Sequence, residues 1–253
     1  MKAAACRAAL PVVLMALVAC AHNNSGFKKA SAAQMAQSNM QLAIEYMKLG
    51  KLLDSRSFIE RALSQDPQNP NVQMTAGLVY ERVRDINKAE HSYSTAYRLG
   101  KSDPNIVNAY AGFLCRTGKA QAGEKLFAAI ADSPLYQTPE VALVNAGVCL
   151  RGTGDMVDAE RYFNRALAIR PNMPEAQLQL GNIAFDRGDT AEARDMVQQY
   201  LAANPPTPEV LWLGFRAARK LGDSAGAASF AHRVQTDFPD SDQARNMRAG
   251  VDR

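Results

Sequence analysis

Three prolines and three glycines share one interval. Pro171, Pro205 and Pro239 stand 34 residues apart, and so do Gly154, Gly188 and Gly222. Gly50 and Gly118 differ by 68, twice that interval, and Pro67 follows Gly50 by 17 just as Pro171 follows Gly154. A period of this length confines the chain to a stack of similar units, each burying its apolar face against the next copy. The two breakers divide each unit. A glycine ends one helix in a left-handed cap. A proline half a period later cannot continue the second helix and restarts the chain. Aromatic residues are only 7% of the chain, and the Val-Ile-Thr alternation of strands is nearly absent, so each unit reads as helix, turn, helix.

Other positions fill the same frame. "LAIEYMKLGKLLDSRSFIERALSQDP" supplies Ala43, Tyr46, Gly50, Ala62 and Pro67. "AGLVYERVRDINKAEHSYSTAYRLG" supplies Gly77, Tyr80, Ala89, Tyr93 and Ala96, and "NAGVCLRGTGDMVDAERYFNRALAIRP" supplies Gly147, Gly154, Ala159, Phe163, Ala166 and Pro171. Gly181, Gly188, Ala193 and Pro205 follow, then Gly222, Ala227 and Pro239. Small residues at Gly77, Gly147 and Gly181 let the first helix approach the second closely, and Ala89, Ala159 and Ala193 do the same from the second helix. This is the tetratricopeptide pattern. It predicts an all-α, right-handed superhelical solenoid of about six tetratricopeptide repeats, beginning near Gln37, Pro70, Pro104, Glu140, Pro174 and Pro208. The third repeat is about two residues longer than the period, with "ADSPLYQTPE" as a looser connector. In the sixth, Phe215 stands where a small residue is expected. The polar "SDQARNMRAGVDR" reads as a short capping helix, of the kind a repeat stack needs for solubility.

The first twenty residues belong to a different regime. Lys2 and Arg7 give a positive start, and the uncharged run "AALPVVLMALVA" ends at Cys20. Twelve apolar residues are too few to span a bilayer but suit the core of a signal peptide. Leu17-Val18-Ala19-Cys20 resembles the lipobox of bacterial lipoproteins, in which cleavage precedes the cysteine and acyl chains are added to it. Residue 21 is alanine rather than aspartate, which in that class implies sorting to the outer membrane. The expected organisation is therefore a lipoprotein signal peptide at 1–19, a lipidated tether at 20–35 and a tetratricopeptide domain at 36–253. Two or more acyl chains anchor a protein stably where one does not.

Charge and motif content exclude several functions. The 29 Lys and Arg stand against 25 Asp and Glu. Lys2 and Arg7 leave with the leader, so the mature excess is two, without any basic run, and no nucleic-acid partner is expected. His22, His91 and His232 do not approach metal-ligand spacing. No G-x-S-x-G, H-E-x-x-H or phosphate-cradling loop occurs, and "RGTGD" falls at the turn between paired helices. No catalytic residue, metal or cofactor is expected beyond the covalent lipid on Cys20.

Two further features point to binding. Cys115 and Cys149 lie 34 apart, near the ends of the first helices of repeats three and four. Equivalent positions in stacked repeats are neighbours, so a disulfide is favoured in an exported protein, with two buried free cysteines as the alternative. First helices line the inner surface of such arrays. Met40, Ile44, Met47, Met74 and Leu78 would then form an apolar, methionine-rich partner-binding groove. The opposite end of that face turns polar or basic through Arg151, Asn182, Arg216, Arg219 and Lys220, where a peptide carboxylate would find cations.

The middle of the chain, Asn108 to Leu167, contains "LCRTG" and "PLYQTPEVALVNAGVC". With the lipobox and the six repeats, it resembles the type IV pilus biogenesis lipoprotein family of PilF and PilW. The resemblance covers nearly the whole mature chain. It implies a pilotin that binds the type IV pilus secretin and promotes its outer-membrane localisation and oligomerisation. It also implies the lipoprotein sorting machinery as a partner, a periplasm-facing, lipid-anchored location, and a structural bridge between Cys115 and Cys149. The alternative is a scaffold for another envelope machine, either a peptidoglycan synthase activator or a barrel assembly subunit.

Overall fold

The computed structural model describes residues 31–134 and 136–250. Among these are thirteen helices and no strand. Twelve helices pair in order: α1 (Ala32–Lys48) with α2 (Leu52–Gln65), α3 (Pro70–Arg82) with α4 (Ile86–Gly100), and α5 (Pro104–Arg116) with α6 (Ala120–Ala131). Then come α7 (Pro139–Arg151) with α8 (Met156–Ile169), α9 (Pro174–Arg187) with α10 (Thr190–Ala203), and α11 (Pro208–Lys220) with α12 (Ser224–Asp237). The short α13 (Asp242–Arg248) closes the stack. Each first helix after α1 starts on a proline, where the missing N–H costs nothing.

The helix ends follow from the repeat. In all six units one N–H reaches back five residues to a carbonyl of the first helix: Lys51 to Tyr46, Asp85 to Tyr80, Lys119 to Leu114, Asp155 to Leu150, Asp189 to Ala184 and Asp223 to Ala218, at 2.8–3.1 Å. This closure needs a left-handed residue just before the donor. Gly50, Gly118, Gly154, Gly188 and Gly222 fill that place, but the second repeat uses Arg84, at φ 65°. The period therefore holds even where its glycine is absent.

Packing explains the small residues. A Cβ on Gly77 would stand 2.7 Å from the ring of Tyr93, and one on Gly147 would stand 2.6 Å from the ring of Phe163. Both rings are buried almost completely. The matching slot on the second helices holds Ser55, Ala89, Gly123, Ala159, Ala193 and Ala227, all buried. The sixth repeat corrects the expectation for Phe215. Its close contact is made by Gly214, whose Cβ would meet Phe230 at 2.7 Å, while Phe215 packs on Trp212 with ring centroids 5.3 Å apart. Shifting the small residue by one position keeps a glycine under an aromatic ring.

Helix α1 begins four residues before the expected start of the repeat domain at 36. Ala32 to Met35 are helical, and Ala36 is fully buried in the first core cluster. No breaker interrupts this Ala/Gln/Met stretch, so the helix extends into it. The leader, Cys20 and the tether up to residue 30 lie outside the described residues.

The backbone of each first helix comes close to that of the next, from α1·α3 through α9·α11, whereas second helices stand further apart and meet through long side chains such as Tyr162 of α8 on Glu124 of α6. A stack held closer along one row than along the other curves toward the closer row. The first helices thus form the inner face of this all-α solenoid.

Candidate functional site

A trough of about 820 Å³ runs along the inner face. Ile44 and Met47 from α1 and Met74 and Leu78 from α3 form one end. All four are partly buried against the core formed by the first two repeats and remain accessible from the inner face. The trough continues across Ala109 and Gly112 of α5 to Val148 of α7, which is 46% exposed despite being apolar. Four repeats therefore contribute to it, where the residue pattern indicated two. Val148 was missed because a valine in a helix between Gly147 and Cys149 reads as core; only the curvature turns it outward.

Met40 departs from the expected groove. It is 8% exposed, belongs to the core between repeats and does not line the trough. Ala36, Met40 and Ala43 share the inward stripe of α1; Ile44 lies one position off that stripe, and Met47 continues it into the last turn of the helix, where it lines the trough. Place around and along the helix, not residue type, separates structural methionine from surface methionine.

The trough floor contains Cys115 and Cys149. They form a disulfide between α5 and α7, with Cα atoms 5.4 Å apart. This crosslink explains the glycine in the third repeat's packing slot. A Cβ on Gly123 would stand 2.5 Å from the Cys115 sulfur and 2.7 Å from the Ala111 carbonyl oxygen. The sulfur fills the space that an alanine methyl fills in neighbouring repeats.

Polar groups are placed along one edge. The Asn145 amide donates to Asn108 at 3.1 Å. Arg116 donates to Glu81 through Nε at 2.6 Å and Nη2 at 3.0 Å, and the Tyr93 hydroxyl donates to the same carboxylate at 3.2 Å. Burial alone would raise the carboxyl of Glu81, but the hydrogen bonds and charge of Arg116, with Tyr93, hold it below its ordinary 4.5. Burial, reinforced by Glu81, pushes the Tyr93 phenol well above its ordinary range. The carboxylate is thus fixed and ionised, and it works as a brace between α3, α4 and α5 with no proton available near neutrality.

His91 and His232 lie on α4 and α12, outer helices of different repeats. Among the described residues no group of three or more His, Cys, Asp or Glu side chains is placed to hold a metal ion, and no helix is long and apolar enough to cross a membrane.

This architecture has recognisable relatives. Tetratricopeptide repeat models match residues 36–69, 114–174 and 150–218. The crystal structure of PilW, described as a widely conserved type IV pilus biogenesis factor, superposes with a TM-score of 0.71 and 29% identity, covering 85% of this chain and 98% of that one. The chain is a tetratricopeptide repeat protein homologous to PilF and PilW. The type IV pilus assembly protein PilF of Pseudomonas aeruginosa is 22% identical over 211 residues, 83% of each chain. The structure of Pseudomonas aeruginosa PilF shares the fold at a TM-score of 0.67 and 19% identity, covering 87% of this chain and 99% of that one.

Proposed function

We propose that this protein is an outer-membrane lipoprotein that acts as a pilotin and assembly factor for type IV pili, binding the pilus secretin through the apolar trough. Homology to PilF and PilW supports a role in type IV pilus biogenesis. The observation that carries the binding reading is the trough itself, an accessible apolar surface with two methionines at one end and a crosslinked floor. Apolar surface left open on an otherwise charged array marks a docking site, and methionines adapt to partner side chains. The protein is read as a scaffold, not an enzyme. Acyl chains on Cys20 would make it cargo for the lipoprotein sorting machinery and hold it on the periplasmic side of the outer membrane. Secretin subunits held in the trough would arrive there at raised effective concentration, favouring oligomerisation.

The test replaces Ile44, Met74 and Leu78 with glutamate. Met40 is excluded because a buried charge at that position would unfold the stack. Secretin multimers should vanish from outer-membrane fractions while the helical circular dichroism signal and melting temperature stay near wild type. Multimers that persist in a folded triple variant would remove the trough from the mechanism. A Cys20→Ala variant should separate delivery from capture: it should still bind secretin in pull-downs yet fail to bring it to the outer membrane.

A further inference from the structure

The inner face carries charges that pair off along the stack. Near the C-terminal ends of successive first helices, Glu81 of α3 holds Arg116 of α5 at 2.6 Å, and Arg151 of α7 holds Asp186 of α9 at 3.2 Å. One repeat further on, at the position of Asp186, stands Lys220 of α11. No carboxylate lies within ion-pair distance of it among the described residues, and the same holds for Arg216 one turn earlier. Both cations instead cover one ring, that of Phe185 on α9, with Arg216 at 4.1 Å and Lys220 at 5.0 Å from its centroid. With Arg219, which stands over Phe215 at 5.5 Å, they line a hollow of about 290 Å³. Two like charges sharing one aromatic face repel each other. A ring attracts cations weakly when they are exposed and cannot neutralise them.

We propose that this hollow is a second binding site on the inner face, specific for an acidic polypeptide segment of a protein partner. Charge complementarity identifies the occupant. A carboxylate entering above Phe185 would accept from the Arg216 guanidinium and the Lys220 ammonium together, giving them the kind of partner that Arg116 has in Glu81 and Arg151 has in Asp186. The hollow is open and its donors spread across a ring, which suits side-chain carboxylates of an extended strand better than the convergent cradle a phosphate needs. It occupies the same row of helices as the trough. The inference does not depend on the trough's occupant.

Titration of the full chain with acetyl-tetraglutamate amide, followed by calorimetry and by Trp212 fluorescence, tests it. Trp212 is the chain's one tryptophan and lies on α11. Binding should be saturable, weaken with added salt, be absent for the tetraglutamine peptide, and fall about tenfold in Arg216→Gln and Lys220→Gln. The Met74→Glu and Leu78→Glu variants should bind the peptide as wild type does, even if secretin capture fails. Absence of binding, or binding unchanged in both cation variants, would overturn the proposal. So would a preference for inorganic phosphate or for phosphatidylglycerol vesicles over the peptide, because the hollow would then serve a different anion.

Discussion

The two ends of the inner face use one scaffold for opposite surfaces. At the amino-terminal end, first-helix positions carry Ile44, Met47, Met74 and Leu78, and the surface is an apolar trough. At the carboxy-terminal end, α9 and α11 place Phe185, Arg216 and Lys220 on that face, and the surface is cationic. The packing beneath hardly changes: Gly77 under Tyr93 has its counterpart in Gly214 under Phe230. Recognition in such an array is therefore written on side chains that the packing does not use. A partner that engages both ends must present an apolar stretch and an acidic one.

The disulfide gives the largest lever on this contrast, because it underlies the trough and lies two repeats from the hollow. Replacing Cys115 and Cys149 with serine should cost about 2–4 kcal/mol, read as a lowered urea midpoint against the oxidised wild type. Secretin capture should weaken more than tetraglutamate binding. Equal losses at both sites would mean that the stack responds as one cooperative unit.

Gly123→Ala probes the crosslink's footprint. The added methyl meets a sulfur and a backbone oxygen that have little freedom to move, so a loss of about 1–3 kcal/mol is expected. In a Cys115→Ala, Cys149→Ala background the cost should shrink, and a double-mutant cycle measures the difference. Full additivity would show that the sulfur is not what excludes the methyl.

A smaller effect separates the paired charges from the unpaired ones. Glu81 has a folded-state pKa below its ordinary 4.5, so its contribution is complete above that value and is lost as pH falls through the lower folded value. Glu81→Gln should remove about 1 kcal/mol at pH 7, given that Arg116 is largely exposed. The gap between wild type and variant should close in acid, as followed by urea midpoints against pH. Arg216→Gln should leave stability nearly unchanged across that range, since no acid among the described residues pairs with it. The smallest change is expected for Arg84→Gly, which relieves the left-handed strain of the second repeat at some entropic cost. A gain of about 0.5 kcal/mol should appear as a slightly higher melting temperature.

Much of this was legible in the residues. The 34-residue spacing of Gly154, Gly188 and Gly222 defined helix ends because left-handed closure favours glycine, and Pro70, Pro104, Pro174 and Pro208 marked the helix starts. Gly77 and Gly147 announced close contacts because only a missing Cβ leaves room for an aromatic ring. Other features left no local trace. Arg84 takes the left-handed position because the cap bond from Asp85 to Tyr80 is made by the backbone, which any residue can supply at a cost. Met40 and Ile44 have similar hydropathy, and only the docking of α1 on its neighbours buries one and opens the other. Val148 became surface because the stack curves, and Gly123 answers to a sulfur from another helix. The sequence by itself determined the repeat, its period and its breakers, since these rest on backbone conformations and residue sizes within one unit. Tertiary structure alone decided which side chains face the trough and which cations gather over Phe185, because both depend on distances between repeats that no single unit contains.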